Sequence, residues 1–454
     1  MPEQRLTIYR AAWVLPVSSE PVRDGAVMVG TDGRIAAVGP RAAIDPPEGA
    51  EVVELGEAAL LPGLVNVHAH PELALFRGAL EDLRFSNWIL RLVGTKRVAL
   101  VEDDYAVAAR WTLVEALRAG MTTLAATETS AASFHALREA GMRGLVYREV
   151  FGPDPAQAEG SMADLAEAVG QLRREETELV RVGVSPHAPY TVSDRLFTAA
   201  AEFACAEGLP MAVHAAESEI ERDLITRGEG DFAPGLRARG IGTPPRGRST
   251  VEMLERLGVL KARPLLIHCV WLDDEDIAIL RDTGAAVAHC PVANAKLGHG
   301  IARLPELREQ NVRVGLGTDS VGSNNRLDLL EEARICELIH RGRMASGSFL
   351  SAADLLRMVT LDGARALGID ERVGTLEPGK DADLCAVALT APHARPVHDP
   401  VAAVFHAARG TDVVLTAVQG RVLYRDGTLT TLDEAALAAA LEDPAARVRE
   451  AMHG

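Results

Sequence analysis

The chain has 454 residues, 48% hydrophobic and 24% charged, with 47 Lys+Arg against 64 Asp+Glu and a net charge of −17. That length exceeds one ordinary domain and suits a large unit with a smaller one attached. The acidic balance argues against nucleic acid or an anionic membrane surface as a partner, and no apolar run reaches the ~18 residues of a membrane span.

Residues 6–60 read as short strands. Ala26-Val27-Met28-Val29 and Ile35-Ala36-Ala37-Val38 flank Thr31-Asp32-Gly33-Arg34, whose Asp-Gly predicts a tight hairpin. Eight apolar runs follow, at 63–68, 121–127, 144–150, 181–186, 210–214, 264–269, 285–290 and 312–318. Helical patterns separate them, at 103–119, 130–140, 160–179, 193–207, 249–260, 273–283 and 303–310, and two more, 326–342 and 351–367, follow the eighth. Continuous apolar runs mark parallel strands buried on both faces. Eight strand–helix units in order predict an α/β fold, a (β/α)8 TIM-type barrel. Over 50 residues separate the first two strands, so the first loop is long and is expected to cover the site. Residues 380–425 are strand-like again, with Arg425-Asp426-Gly427 as a second hairpin signal, and 431–451 predict a closing helix. The expected layout is a barrel over 61–368 and a small β-sandwich domain built from both chain ends, 1–60 and 369–454.

The cysteines at 205, 269, 290, 336 and 385 have no paired spacing. Buried free thiols in a reducing compartment are expected, and a cysteine-ligated zinc site is disfavoured. Met1-Pro2-Glu3-Gln4-Arg5 lacks a basic stretch followed by an apolar core, so no signal peptide is expected and the cytoplasm is the expected location. Composition is compatible with a homo-oligomer but does not fix the oligomeric state.

The chemistry lies where the apolar runs end. Leu64-Val65-Asn66-Val67 leads into His68-Ala69-His70, and residues two apart on a strand point the same way. Two imidazoles side by side suit one divalent ion. Pro210-Met211-Ala212-Val213 leads into His214, with Glu217 three residues on; Pro264-Leu265-Leu266-Ile267 leads into His268; Val312 to Thr318 leads into Asp319. His68, His70, His214 and Asp319 make a zinc-type set with room for a water whose pKa falls toward ~7. Glu217 is placed to carry the proton of that water, His268 to bond the water or a developing oxyanion, and Asp319 to accept a proton as well as bind metal. Each has a plainer alternative: Asp319 as a helix cap, Glu217 as an acid in a helix's first turn, His268 as a satisfied core histidine.

Pro62-Gly63-Leu64-Val65-Asn66-Val67-His68-Ala69-His70 with Phe76-Arg77-Gly78 resembles the amidohydrolase superfamily, and within it the aminohydrolases of purines, nucleosides and triazines. Ser185-Pro186-His187-Ala188-Pro189-Tyr190-Thr191, His214-Ala215-Ala216-Glu217, His289-Cys290-Pro291 through Leu297-Gly298, Leu316-Gly317-Thr318-Asp319-Ser320 and Gly374 through Leu384 are similar to that branch's other motifs, in order. The resemblance implies one divalent metal, zinc or iron, on His68, His70, His214 and Asp319. It implies Glu217 and His268 as proton-handling residues and His187 as a substrate contact. Binuclear branches bridge two metals with a carboxylated lysine; no lysine occurs here between Lys96 and Lys261, which favours a single metal. The chain departs from the pattern at Ala293, usually serine, at His299, usually a small residue, and at Gly94-Thr95-Lys96-Arg97, where a ribose-binding acid is frequent. Arg148 and Trp88 are candidate substrate contacts.

The expected activity is hydrolytic deamination of an amino-substituted heterocycle, an aminopurine or purine nucleoside, with aminodeoxyfutalosine among the candidates, by attack of metal-bound hydroxide and release of ammonia. Dechlorination of a triazine and opening of a cyclic amide are the alternatives on the same site. A non-catalytic binding protein on the same barrel would be expected to lack Glu217, His268 or a ligand, and all are present.

Overall fold

The computed structural model describes residues 5–453; residues 1–4, within the stretch read for a signal peptide, and residue 454 lie outside the described residues. Five strands come first: β1 (Thr7–Val14), β2 (Val22–Val29), β3 (Ile35–Pro40), β4 (Glu51–Glu54) and β5 (Ala58–Pro62). Eight follow, each on one of the eight apolar runs: β6 (Leu64–Ala69), β7 (Met121–Glu128), β8 (Arg143–Val150), β9 (Val180–Pro186), β10 (Ala212–Ala215), β11 (Leu265–His268), β12 (Ala286–His289) and β13 (Arg313–Leu316). Four more close the chain: β14 (Leu384–Ala388), β15 (Val413–Val418), β16 (Arg421–Arg425) and β17 (Thr428–Leu429).

The eight central strands form two parallel sheets, β6-β7-β8-β9 and β10-β11-β12-β13. Parallel bridges Val184–Met211 and Ala69–Asp319 join them at both edges. Val65, Val67, Ala125, Leu145, Tyr147, Ala212, Leu265, Ile267, Ala286 and Ala288, from six of these strands, make one apolar interior. The alternate residues, such as Leu124, Val146, Val182 and Val213, pack on the helices. Both faces are buried, which is why the strands read as continuous apolar runs.

The strands of both chain ends share one hydrogen-bonded sheet, β17-β16-β15-β14-β5-β1-β2-β3 with β4 on β1, where the expected sandwich calls for two layers. The seam is the antiparallel pairing of β5 with β14, Ala58–Pro62 against Leu384–Ala388. Arg143, at the start of β8, is buried and bonded to Asp383 (2.9 Å) and Asp381 (2.8 Å), tying the central strands to this sheet.

The long first loop carries a helix the sequence reading did not place, α1 (Phe85–Ala99). Phe85, Trp88, Leu92, Thr95 and Ala99 recur at helical spacing and are its buried stripe. The closing helix, Glu434–His453, braces it: Thr95 Oγ1 lies 3.2 Å from Met452 Sδ, and Arg447 donates to the carbonyl of Ala99 (2.9 Å). Four cysteines are buried, as expected, but Cys205 is exposed, on the outer face of the helix Asp194–Glu207. No helix among the described residues is long and apolar enough to cross a membrane.

Candidate active site

The ligand-type side chains converge at the carboxyl ends of the central strands. His68, His70 and His214 have ring nitrogens within 4.8 Å of one another, and so do His68, His268 and Asp319 through their own donor atoms. The local backbone explains how. The register of β6 against β7 shifts between Asn66 and Ala69, so Val65 and Val67 face the interior and His68 and His70 still emerge together at its mouth. Asp319 Oδ1 lies 3.3 Å from His68 Nε2 and 3.5 Å from His70 Nε2. Asp319 has φ +58°, His268 +76° and Ala216 +52°, left-handed values that cost a non-glycine residue ~1–3 kcal/mol and gather at functional sites.

Position bears on each of the plainer alternatives. Ser320, not Asp319, caps the short helix Val321–Asn324. Asp319 accepts from Ser320 N (2.7 Å) and Ser323 Oγ (2.7 Å). Burial opposes its ionisation, but the His68 imidazole 3.3 Å away, with His70 and His268 beside it, holds its carboxyl far below the usual range. Glu217 precedes the cap Ser218 of the helix Glu219–Arg227 and so lies outside it. His268 Nδ1 donates to Asn294 Oδ1 (2.9 Å), which turns its Nε2 toward Glu217 Oε1 at 3.5 Å.

Glu217 is buried, with a hydroxyl donor on one oxygen and two imidazoles facing the other. Tyr190 Oη donates to Oε2 (3.3 Å), and His299 Nε2 lies 3.1 Å from Oε1. Burial pushes its carboxyl up, yet His268 and His299 outweigh that and keep it below the ordinary value, hence ionised. The turn bearing it is anchored by Glu221, which accepts from Ala216 N (2.8 Å), Glu217 N (3.2 Å) and Thr250 Oγ1 (2.6 Å).

His187 is at the same mouth, its ring 4.8 Å from that of His214 and stacked on Phe151 at 4.7 Å. Thr191 Oγ1 bonds its Nδ1 (2.8 Å). Along β8, Tyr147 belongs to the interior, so alternation sends Glu149 inward and Arg148 outward, level with Glu128 and Val184 on the helix side. Trp88 is buried beside Gly322, three residues past Asp319, with Nε1 unpartnered. Lys96, in the stretch that departs from the resemblance, is bonded to Glu72 (3.2 Å), which also accepts from Thr129 and Ser130.

A model of the amidohydrolase family matches residues 59–423. The chain belongs to the amidohydrolase family. Among its relatives is a 5-methylthioadenosine/S-adenosylhomocysteine deaminase of Syntrophobacter fumaroxidans, 35% identical over 90% of each chain. Another is a 5'-deoxyadenosine deaminase of Methanopyrus kandleri, 31% identical over 95% of this chain and 96% of that protein. Among solved structures, an adenosine deaminase from Xanthomonas campestris with bound zinc superposes with a TM-score of 0.87 at 28% identity, covering 99% of this chain and all of the other. An atrazine chlorohydrolase from Arthrobacter aurescens, complexed with zinc, gives 0.84 at 23% identity over 97% of this chain and all of the other, a likeness of fold.

Amidohydrolases are typically metal-dependent, and the residues of this one fit a divalent ion. Both ring nitrogens of His68 are buried without a hydrogen-bond partner, which is costly unless something else uses them. Burial depresses His70 to about 3 and takes His214 well below its ordinary value, so both imidazoles are neutral and free to ligate. His214 Nδ1 donates to the carbonyl of His187 (3.2 Å), fixing its other nitrogen on the centre.

Sequence reasoning passed over Glu149 and Tyr190, which the fold brings beside His187 and Glu217. Glu149 Oε1 is buried, unpartnered, and 3.9 Å from His187 Nε2; a donor atom of Glu149 lies within 4.8 Å of both His187 and His214. Burial, then the charge of Glu72, raises its carboxyl to about 8. The parity of β8 was the available signal. His289 and His340 form a separate buried pair, Nε2 to Nε2 at 3.2 Å, behind β12 on the helix side.

Proposed function

We propose that this amidohydrolase is a hydrolytic deaminase of adenosine-type purine nucleosides, replacing the ring amine by oxygen and releasing ammonia. Its relatives at 31–35% identity over at least nine-tenths of the chain are deaminases of such nucleosides. The single observation that carries the chemistry is Glu217: a buried carboxylate beside the His/Asp cluster, with Tyr190 donating to one oxygen and His268 and His299 facing the other.

We assign one ion, zinc in preference to iron, to His68, His70, His214 and Asp319. When bound, it supplies Lewis-acid activation of the attacking water at neutral pH. Glu217 takes a proton onto its carboxylate and delivers it to the ring nitrogen next to the amine-bearing carbon. His268, oriented by Asn294, bonds the oxygen that adds to that carbon. Asp319, oriented by its bonds from Ser320 N and Ser323 Oγ, receives and passes on the proton that leaves with ammonia. His187 and Glu149 orient the base, and Trp88 and Phe85 of α1 keep bulk water from the site.

We read the eight bridged parallel strands as a closed (β/α)8 barrel over 61–368, with 1–60 and 369–454 as the small β domain. The apolar cluster on one face of its sheet, Tyr9, Val27, Leu60, Leu384 and Leu415 among it, supports a sheet curled over itself. A small-molecule substrate, a net charge unsuited to nucleic acid and a cytoplasmic setting complete the reading. The test is ammonia release from adenosine, 5'-deoxyadenosine, 5'-methylthioadenosine and S-adenosylhomocysteine by zinc-loaded protein. Turnover of at least one is expected; none on any of the four would overturn the proposal.

A further inference from the structure

His299 stands between two glycines, Gly298-His299-Gly300. Both glycines take left-handed φ, +72° and +107°, conformations that favour glycine. The chain therefore turns sharply on either side of His299 and directs its side chain inward, where it is only 3% exposed. Its backbone is fastened as well: the amide donates to the carbonyl of Asn294 (2.9 Å) and the carbonyl accepts from Trp271 Nε1 (3.0 Å). Asn294 thus fixes both imidazoles that face Glu217, His268 through its side chain and His299 through its backbone. The His299 ring meets the Phe85 ring edge-on at 4.4 Å, so it is wedged between α1 and Glu217.

We infer that His299 is a positioning residue for Glu217: with its proton on Nε2, it holds Oε1 while Tyr190 holds Oε2, and so sets one orientation of the carboxylate toward the substrate. This rests on the reading of Glu217 as the proton carrier. Fixing such a group matters because a proton is moved efficiently only at hydrogen-bond geometry, and a bond to an ionised carboxylate is the strong kind. The Tyr190 hydroxyl bonded to Oε2 and the fixed His299 ring, with Nε2 3.1 Å from Oε1, flank the carboxylate more closely than His268 alone does at 3.5 Å. The contact with Phe85 further couples that orientation to the seating of α1.

The experiment measures kcat and KM for 5'-methylthioadenosine, and zinc per chain, in His299→Ala, His299→Gln, His299→Asn, Glu217→Gln and the double variant Glu217→Gln/His299→Ala. The expected result for His299→Ala is a kcat lower by about tenfold, with KM within about twofold and zinc unchanged. His299→Gln puts an amide N–H where Nε2 was and recovers most of kcat; His299→Asn, one bond shorter, does not. In the Glu217→Gln background, His299→Ala has no further effect, because the carboxylate it positions is gone. Unchanged kcat in His299→Ala, equal losses in the Gln and Asn variants, a rise in KM alone, or additive losses in the double variant would each overturn the inference. Wild-type turnover in Glu217→Gln would instead overturn the reading beneath it.

Discussion

A Cβ built on Gly317 would lie 2.9 Å from the Cβ of His68. β13 passes β6 so closely that only hydrogen fits between them, and that approach sets Asp319 3.3 Å from His68. Gly317→Ala must therefore push the two strand ends apart and separate a carboxylate ligand from an imidazole one. We expect it to weaken metal retention by about 10–100-fold, the range seen when the supports of ligands are disturbed. Metal content against chelator concentration measures this, and unchanged retention would remove the geometric argument.

Asp319→Ala should lose activity and metal together. On the proposed assignment of one ion to four ligands, elemental analysis after exhaustive desalting should return one per wild-type chain and much less for the variant. Two ions per chain, or a variant that keeps its ion, would contradict the assignment.

The two sides of β8 give opposite outcomes. His187→Ala and Glu149→Gln should leave the metal in place and lower kcat/KM by ~1–3 kcal/mol, the value of lost polar contacts. Arg148→Ala, outside the interior, should leave kcat/KM unchanged. A loss with Arg148→Ala equal to that with Glu149→Gln would mean the strand's parity has been misassigned.

Much of this fold is legible in the sequence. The eight strands are, because each is buried on both faces and reads as an unbroken apolar run. The same double burial hides which residues face inward, so Arg148 rather than Glu149 is chosen for the pocket. The register shift in β6 is equally invisible, although the His-x-His spacing survives it. α1 is obscured because its buried stripe is interleaved with exposed Leu90, Val93 and Val98, which blur the periodicity. The candidate metal ligands and Glu217 stand out because polar residues close apolar strands. His299 is visible in sequence only as a departure from pattern; its contact with Glu217 comes from a loop conformation that two glycines permit.

The buried ionisable groups set the pH dependence of stability in the metal-free protein. Burial lowers His70 to about 3, and His187 and His340 to about 4, from an ordinary 6.5. The unfolded chain binds those protons first, so this stability is complete above pH 6.5 and is lost as pH falls toward 4. Burial raises Glu128, Glu149 and Glu332 to about 8 from 4.5. Their stability is complete below pH 4.5 and is lost as pH rises through 8. The two trends oppose each other between 4.5 and 6.5, so the melting temperature should be highest there and fall on both sides. A melting temperature that climbs steadily from pH 6.5 to 8.5 would contradict the burial of these acids.

Glu217→Gln, compared with wild type at equal zinc content, isolates the proton-carrying role proposed for the Glu217 carboxylate. The measured quantity is the rate of ammonia release from 5'-methylthioadenosine. Gln keeps the shape of the side chain but cannot carry the proton, so the rate should fall by about 10²–10⁴-fold with one ion still bound per chain. A variant that holds its zinc and releases ammonia at close to the wild-type rate would contradict the account.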